Sequence, residues 1–164
     1  MPSISSTQDT NIWIAAGEGR IDLVEYFLLN GGPDITDLGN PNVKDELGYT
    51  CMHAAASYDQ KEMVEYLISK GADVNILDHE GDTPLHVTET ASMAELLIAN
   101  GADPHIRNSE GFLPIETASE QEFDQVVQIL KAYTPEYRIQ EIPSDLELQQ
   151  LVLDSVLNQL NSQS

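Results

Sequence analysis

The fold is decided by residues 45–77, DELGYTCMHAAASYDQKEMVEYLISKGADVNIL. The first residues of this stretch predict a turn, because Gly48 can adopt the positive φ that tight turns need. Thr50 can then cap a helix by accepting a hydrogen bond from a free backbone N–H. The short, Ala-rich run at 51–57 predicts one helix, and the apolar spacing within 61–70 predicts a second, antiparallel to it.

This helical unit recurs along the chain. GYTCMH at 48–53 returns as GDTPLH at 81–86, and GADVN at 71–75 returns as GADPH at 101–105. A helix pair of this kind buries only one of its sides, so stacked neighbours must close the core. The recurrence therefore predicts a repeat architecture.

These residues resemble the ankyrin-repeat family, whose pattern is D-x-x-G-x-T-P-L-H followed by A-A, V-x-x-L-L and G-A-D-x-N. Residues 78–86 match its first part almost completely, and the resemblance extends over about 11–134. It implies an all-α ankyrin-repeat solenoid of paired antiparallel helices with short turn or β-hairpin fingers. The repeat positions with a structural role would be Trp13, Gly48, Thr50, His53, Gly71, Gly81, Thr83, Pro84, His86, Gly101 and Gly111.

We expect four repeats, at about 11–44, 45–77, 78–107 and 108–135, in one domain spanning 9–135. The first repeat has Trp13 where the second has a histidine, which is consistent with a terminal repeat. Between these two repeats, 31–42 is an insertion that is either a functional loop or a neutral surface loop. The fourth repeat lacks a Gly-Ala exit and is expected to close the array.

The third repeat departs from the pattern between His86 and Leu97, where it has fewer residues than the second repeat has between His53 and Leu67. Its helices are therefore expected to be shorter, or the turn between them tighter. Glu89 stands where the second repeat has alanine, so we expect its bulkier, polar side chain to be pushed out of the close helix contact.

The two ends of the chain lie outside the repeat pattern. Residues 1–8 are polar and predicted to be disordered. Residues 136–164 form a C-terminal extension in which an amphipathic helix is predicted at 145–160, preceded by a capping box of Ser144 and Glu147. This helix could cap the fourth repeat, bind a partner or form a dimer contact.

Charge is the most unusual property of the composition. The chain has 28 acidic and 7 basic residues among 164, a net charge of −21. Binding to nucleic acid or to anionic membranes is disfavoured, and a basic protein partner would be attracted. The alternative is that the charge only maintains solubility. The single cysteine, Cys51, excludes an internal disulfide framework and favours a cytoplasmic or nuclear location.

No catalytic motif stands out in the sequence. His53 and His86 occupy the histidine position of the family, where a structural role is expected, while His79 and His105 are loop residues without spaced partner ligands. We therefore expect no catalytic residues, no metal site, no cofactor and no small-molecule substrate.

The resemblance implies a module that binds a protein partner on a concave surface. Carried over by position, this surface comprises Glu46, Leu47, Tyr49, Ser57, Tyr58, His79, Glu80, Asp82, Glu110, Phe112 and Gln121. The leading hypothesis is a monomeric adaptor or escort that binds a basic protein segment there. An inhibitor or regulatory subunit of an enzyme is the alternative, and a hydrolase using surface carboxylates is a remote one.

Overall fold

The computed structural model describes residues 10–32 and 35–137. Its helices are short and follow each other in pairs with one exception. They are α1 (Ile12–Gly17), α2 (Ile21–Asn30), α3 (Cys51–Ser57), α4 (Lys61–Ser69), α5 (Ala91–Ala99), α6 (Pro114–Glu120) and α7 (Asp124–Lys131). Within the described ranges these helices account for all of the regular secondary structure, which confirms the predicted all-α class.

The core lies between and within the helix pairs. Helix α1 packs on α2, α3 on α4 and α6 on α7, while α1 also packs on α3 and α5 on α7. Each element contributes large apolar side chains that are almost fully buried, among them Ile12, Met52, Leu67, Leu85, Leu97, Ile115 and Leu130. The repeats therefore bury their apolar faces against one another, as stacking requires.

Helix α3 shows how the sequence sets these elements. The Thr50 hydroxyl oxygen accepts a hydrogen bond from the backbone N–H of His53, which caps the helix start. Five of the seven residues at 51–57 have side chains smaller than leucine, and residues 51–56 are all buried. Helix α1 can therefore approach closely. The helix ends before Asp59, whose φ of 55° reverses the chain toward α4.

The third repeat has no regular first helix. Residues 84–87 form a single turn, and the chain then runs directly into α5. Thr88 is buried and its hydroxyl donates to the carbonyl oxygen of Pro84 at 2.9 Å, whereas Glu89 is exposed. This confirms the expected shortening and the expected displacement of Glu89.

The fingers are hydrogen-bonded turns at 45–49, 78–82 and 108–112. In the second of these, the N–H of Asp78 donates to the carbonyl of Asp82, and the Asp78 carboxylate accepts from the N–H groups of Glu80 and Asp82. The other two fingers repeat this pattern with Asp45 and Asn108 at the first position. No strand is formed within the described residues, so the fingers are turns rather than full β-hairpins.

Consecutive fingers are joined by one backbone hydrogen bond each. The N–H of His79 donates to the carbonyl of Leu47 at 2.9 Å, and the N–H of Ser109 donates to that of Glu80 at 2.8 Å. This approach requires glycine at the finger tip. A Cβ placed on Gly81, where φ is 79°, would lie 2.8 Å from the backbone nitrogen of Ser109.

A second row of hydrogen bonds joins the repeats on the exit side. The Asn42 side-chain oxygen accepts from the N–H of Asp73, and the Asn75 side-chain oxygen accepts from that of Asp103, both at 2.8 Å. The Asn75 amide also donates to the carbonyl of Gly101. The last asparagine of each exit therefore fixes the start of the next one.

The insertion between the first two repeats folds back on α2 where it is described. Ile35 is buried beside Gly32, to which it is bridged, and the N–H of Gly39 donates to the carbonyl of Leu28 at 2.8 Å. Leu38 is exposed.

The molecule divides into two units, Met1–Thr134 and Pro135–Ser164, and all the helices above belong to the first. The predicted N-terminal segment 1–8 and the predicted helix 145–160 lie outside the described residues. Among the described helices, each is too short or too polar to cross a membrane.

The stacked fingers predict different costs for the same substitution at two tips. Gly111→Ala places a Cβ in open space at a φ of 89°, so we expect a loss of about 1 kcal/mol of unfolding free energy from the left-handed backbone alone. Gly81→Ala adds the contact with Ser109 and should lose about 1–3 kcal/mol more. Urea denaturation of both variants measures this difference, and equal losses would contradict the role assigned to finger stacking.

Candidate functional site

Two buried histidines anchor the surface on which the fingers lie. His53 Nε2 lies 2.9 Å from the carbonyl oxygen of Asp82, and His86 Nε2 lies 3.1 Å from that of Phe112. A carbonyl oxygen can only accept, so each Nε2 carries the proton. Each imidazole thus connects its own repeat to the base of the next finger.

The other ring nitrogen of each imidazole closes a local network. His53 Nδ1 accepts from the backbone N–H of Thr50 at 3.3 Å and lies 2.9 Å from its hydroxyl oxygen. His86 Nδ1 makes the same contacts with Thr83, at 3.1 and 2.8 Å. Since Nδ1 must accept from the backbone, the neutral Nε2–H tautomer satisfies every contact. Burial, which disfavours the imidazolium, lowers the pKa of both His53 and His86.

The first and fourth repeats replace this imidazole with other groups. Trp13 donates from its indole Nε1 to the carbonyl of Val43 at 3.3 Å, so the larger ring reaches a carbonyl before the finger. Glu116 accepts from the backbone N–H of Leu113 at 2.7 Å, as the histidine Nδ1 does in the other repeats. Unlike the histidine Nε2–H, the ionised Glu116 carboxylate has no proton to donate to a carbonyl of a further finger. It accepts a hydrogen bond from Arg107 instead.

The residues predicted to bind a partner differ in exposure. The exposed ones are Glu46, Leu47, Tyr58, His79, Glu80, Glu110 and Gln121. The partly buried ones are Tyr49, Ser57, Asp82 and Phe112. Tyr49 has its ring centroid 5.1 Å from that of His53, and partial burial raises its pKa. The Asp82 carboxylate accepts from the Asn108 amide at 2.8 Å, so this residue also joins two fingers.

Two adjoining hollows bring some of these residues together. The first, here called the N-terminal pocket, has a volume of about 400 Å³ and is lined by Trp13, Ile14, Gly17, Glu18, Tyr49, Ala54 and Tyr58. The second, here called the finger hollow, has about 690 Å³ and is lined by Asn11, Trp13, Ile14, Lys44, Asp45, Glu46 and Leu47. The hollows share Trp13 and Ile14. Of the predicted set, Tyr49 and Tyr58 line the first and Glu46 and Leu47 the second.

Sequence reasoning missed Ile14 and Glu18 as surface residues. Ile14 is 47% exposed, whereas Ala54 at the matching position of the second repeat is buried. The pattern contained one sign of this, because a large aliphatic side chain stands where the second repeat has alanine. Ser57, His79, Glu80, Asp82, Glu110, Phe112 and Gln121 do not line either hollow.

Three carboxylates of the second finger lie close together. One oxygen each from Asp78, Glu80 and Asp82 falls within 4.8 Å of the others. Asp78 already accepts two backbone N–H groups, and Asp82 accepts from Asn108. These contacts account for the cluster as part of the turn, so we assign it no metal.

The positive charges of this region are mostly engaged. Arg20 pairs with Asp22 and Lys70 with Glu25 at exposed positions, where such pairs add little stability. Arg107 pairs with the half-buried Glu116. Lys44 donates to the carbonyl of Leu77 at 2.7 Å. The carboxylates of the finger tips, Glu46, Glu80 and Glu110, are therefore left to set the potential of the finger surface.

The thiol of Cys51 is removed from this surface. It is 1% exposed and lies 3.7 Å from the carbonyl of Ile12, and burial raises its pKa to about 12. A thiol held in its neutral form is a poor nucleophile and metal ligand, so it acts as a small core residue.

Comparison with known proteins points in the same direction as the geometry. The family described as ankyrin repeats, in three copies, matches residues 12–108. An ankyrin repeat-containing protein of Schizosaccharomyces pombe is 44% identical over 84 residues, which are 51% of this chain and 37% of that protein. Diacylglycerol kinase zeta of Rattus norvegicus is 34% identical over 77 residues, 47% of this chain and 8% of the kinase.

A potassium channel of Arabidopsis thaliana is 36% identical over 75 residues, 46% of this chain and 8% of the channel. The chain therefore spans 37% of the yeast relative and a much smaller part of the kinase and the channel. What these proteins share with it is a repeat segment inside molecules of otherwise different kinds.

The histidine contacts predict a pH dependence of stability. Above pH 6.5 both imidazoles are neutral in the folded and unfolded states, so their full contribution is present. As the pH falls below 6.5, the unfolded chain takes up protons that the folded chain, with its lowered pKa values, does not, and the unfolding free energy contributed by these groups decreases.

We therefore expect the stability difference between wild type and a His53→Gln/His86→Gln variant to shrink as the pH falls from 7 to 5. Val64→Ala, at a fully buried position that does not titrate, should lower stability by the same amount throughout. Urea denaturation at each pH measures both differences, and NMR titration of the two imidazoles should give midpoints below 6.5. Midpoints at or above that value would contradict the lowered pKa of the two imidazoles.

Proposed function

Because this chain belongs to the ankyrin-repeat family, we propose that it is a protein-interaction module that binds a basic protein segment on its finger surface, as an adaptor or escort. Members of this family generally bind other proteins and are typically not enzymes. The observation that carries the proposal is the combination of exposed apolar side chains and carboxylates on one surface. Leu47 is 71% exposed and Tyr58 is 68% exposed, and Glu46 and Glu80 lie on the adjacent finger tips.

Such a surface has the composition of an interface hot spot. Large apolar and aromatic side chains supply most of the binding energy of a typical interface, and a charged rim selects the partner and speeds the encounter. The rim here is acidic, and the whole chain carries −21. A segment rich in Lys and Arg would meet both requirements.

An inhibitor or regulatory subunit of an enzyme is the second candidate. The apolar lining of the N-terminal pocket favours it, because a packed contact of this kind resists salt more than a charge-led contact does. Binding that weakens steeply with salt supports the escort, and binding that persists at high salt supports the inhibitor.

The proposal predicts that charge removal from the finger tips weakens binding. Full-length wild type, a Glu46→Gln/Glu80→Gln/Glu110→Gln variant and a Glu62→Gln/Glu65→Gln/Glu95→Gln control would be immobilised and used to capture proteins from a cell lysate at low and high salt. The two variants lose the same charge from exposed positions, but the control changes α4 and α5 instead of the fingers. Captured proteins would be quantified by mass spectrometry.

We expect basic proteins to be enriched by wild type, depleted about tenfold by the finger-tip variant and kept by the control. Equal depletion by both variants would mean that net charge alone attracts these proteins. Full retention by the finger-tip variant would show that the fingers are not the binding surface.

A further inference from the structure

The N-terminal pocket is an apolar hollow of about 400 Å³ that the packing of the first two repeats leaves open. It forms where α1 lies against α3, so residues of two repeats line it. Of these, Ala54 and Trp13 are buried. Ile14 and Tyr58 remain exposed on its sides. Apolar side chains grouped in a concave place, rather than scattered, are typical of an interaction site.

The position of Tyr58 depends on a glycine of the neighbouring repeat. A Cβ added to Gly17 would lie 3.0 Å from Cδ2 of Tyr58, so the aromatic ring lies directly over the backbone of α1. The Gln60 amide also donates to the carbonyl of Gly17 at 3.0 Å, which holds the end of α3 close to α1. One face of the ring is thereby supported by the protein, and its remaining surface is left to a ligand.

Acidic side chains accompany the apolar residues of the N-terminal pocket and of the finger hollow. Glu18 lines the pocket at the end of α1, and Glu46 lines the finger hollow beyond Ile14. Lys44 is the cation among the residues that line the two hollows, and its ammonium group donates to the carbonyl of Leu77. Each hollow thus has a glutamate beside the apolar side chains that the two hollows share.

We propose that the N-terminal pocket receives one large aliphatic or aromatic side chain of a partner's peptide segment, and that Lys or Arg residues flanking this anchor meet Glu18 and Glu46. This inference rests on the proposed function and adds to it the place and the chemistry of the contact. It assigns Ile14 and Glu18 to the interface, and it makes the basic residues alone insufficient for binding.

Charge complementarity favours a foreign segment over the chain's own. Residues 139–164 contain several carboxylates and no Lys or Arg, so this apolar segment would bring negative charge to an acidic rim. A second copy of the chain carries the same net charge of −21 and meets the same repulsion. A basic segment with one apolar anchor is attracted by both parts of the site.

The test begins with selection from a phage-displayed library of random short peptides on the immobilised full-length protein. The peptides enriched on wild type would then be tested for binding to an Ile14→Ser/Tyr58→Ser variant, whose exposed positions leave the core intact, as a thermal melt would verify. We expect the enriched sequences to contain one large apolar residue within a few positions of Lys or Arg.

The strongest enriched peptide is then measured in solution. Trp13 is the single tryptophan of the chain and lines the pocket, so its fluorescence reports binding. We expect affinity to fall by about tenfold or more when the apolar residue of the peptide is replaced by alanine, and equally with the Ile14→Ser/Tyr58→Ser variant. Leu29→Ser, at an equally exposed position on α2, should bind as wild type does.

A Glu18→Gln/Glu46→Gln variant should bind this peptide more weakly at low salt and show a smaller loss of affinity on adding salt. Three outcomes distinguish a failure of the pocket proposal from a failure of the proposed function. Enrichment of basic peptides without an apolar anchor, kept by the Ile14→Ser/Tyr58→Ser variant, overturns the pocket and leaves the proposed function standing. Enrichment of peptides without basic residues, or no enrichment at all, overturns both.

Discussion

The structure depends on hydrogen bonds that a repeat cannot make by itself. The Nε2–H of His53 needs the carbonyl of Asp82 in the next finger, and the carbonyl of Leu47 needs the N–H of His79. A buried donor left without its acceptor costs about 1–3 kcal/mol, which is a large part of the stability of a small domain. Each repeat therefore depends for its stability on contacts with the neighbouring repeat.

The same dependence explains the contacts of the two described helix pairs that lack this histidine. A histidine in the fourth repeat would direct its Nε2–H toward a finger that the pattern does not provide. Glu116 keeps the local half of the contact, accepting from Leu113, and its second partner is Arg107 of the same repeat. In the first repeat Trp13 donates to the carbonyl of Val43, just before the first finger, and fills the space with a larger ring.

The sequence predicts most of this fold because its local and long-range requirements coincide. Thr50 is both a helix cap and a partner of His53, and the Gly81 position needs both a positive φ and the absence of a side chain. Such residues leave few alternatives, so the predicted helix at 51–57 is confirmed to the residue. The shortened third repeat could also be read from its length, because too few residues remain to form a helix before α5.

The candidate site was less accessible to sequence reasoning. The finger-tip residues of the candidate site were predicted from their position in the repeat, because the turns between repeats are exposed in this architecture. The N-terminal pocket, in contrast, is formed by side chains from two repeats and exists only when α1 lies on α3. Neither the exposure of Ile14 nor the contact of Tyr58 with Gly17 could be read from the sequence, because both depend on the distance between α1 and α3.

The charge distribution links the fold to the proposed interaction. Many hydrogen bonds between repeats involve neutral partners, such as the Asn75 amide and the backbone of Asp103, so much of the stacking does not depend on charge. The repulsion among the carboxylates must be opposed by the packing and hydrogen bonds of the repeats, and it is reduced whenever a cation approaches. A basic segment bound beside Glu46 would therefore add its own contacts and relieve repulsion already present in the free protein. Binding of such a segment would therefore also raise the free energy of unfolding, so binding and stability are coupled through the acidic surface.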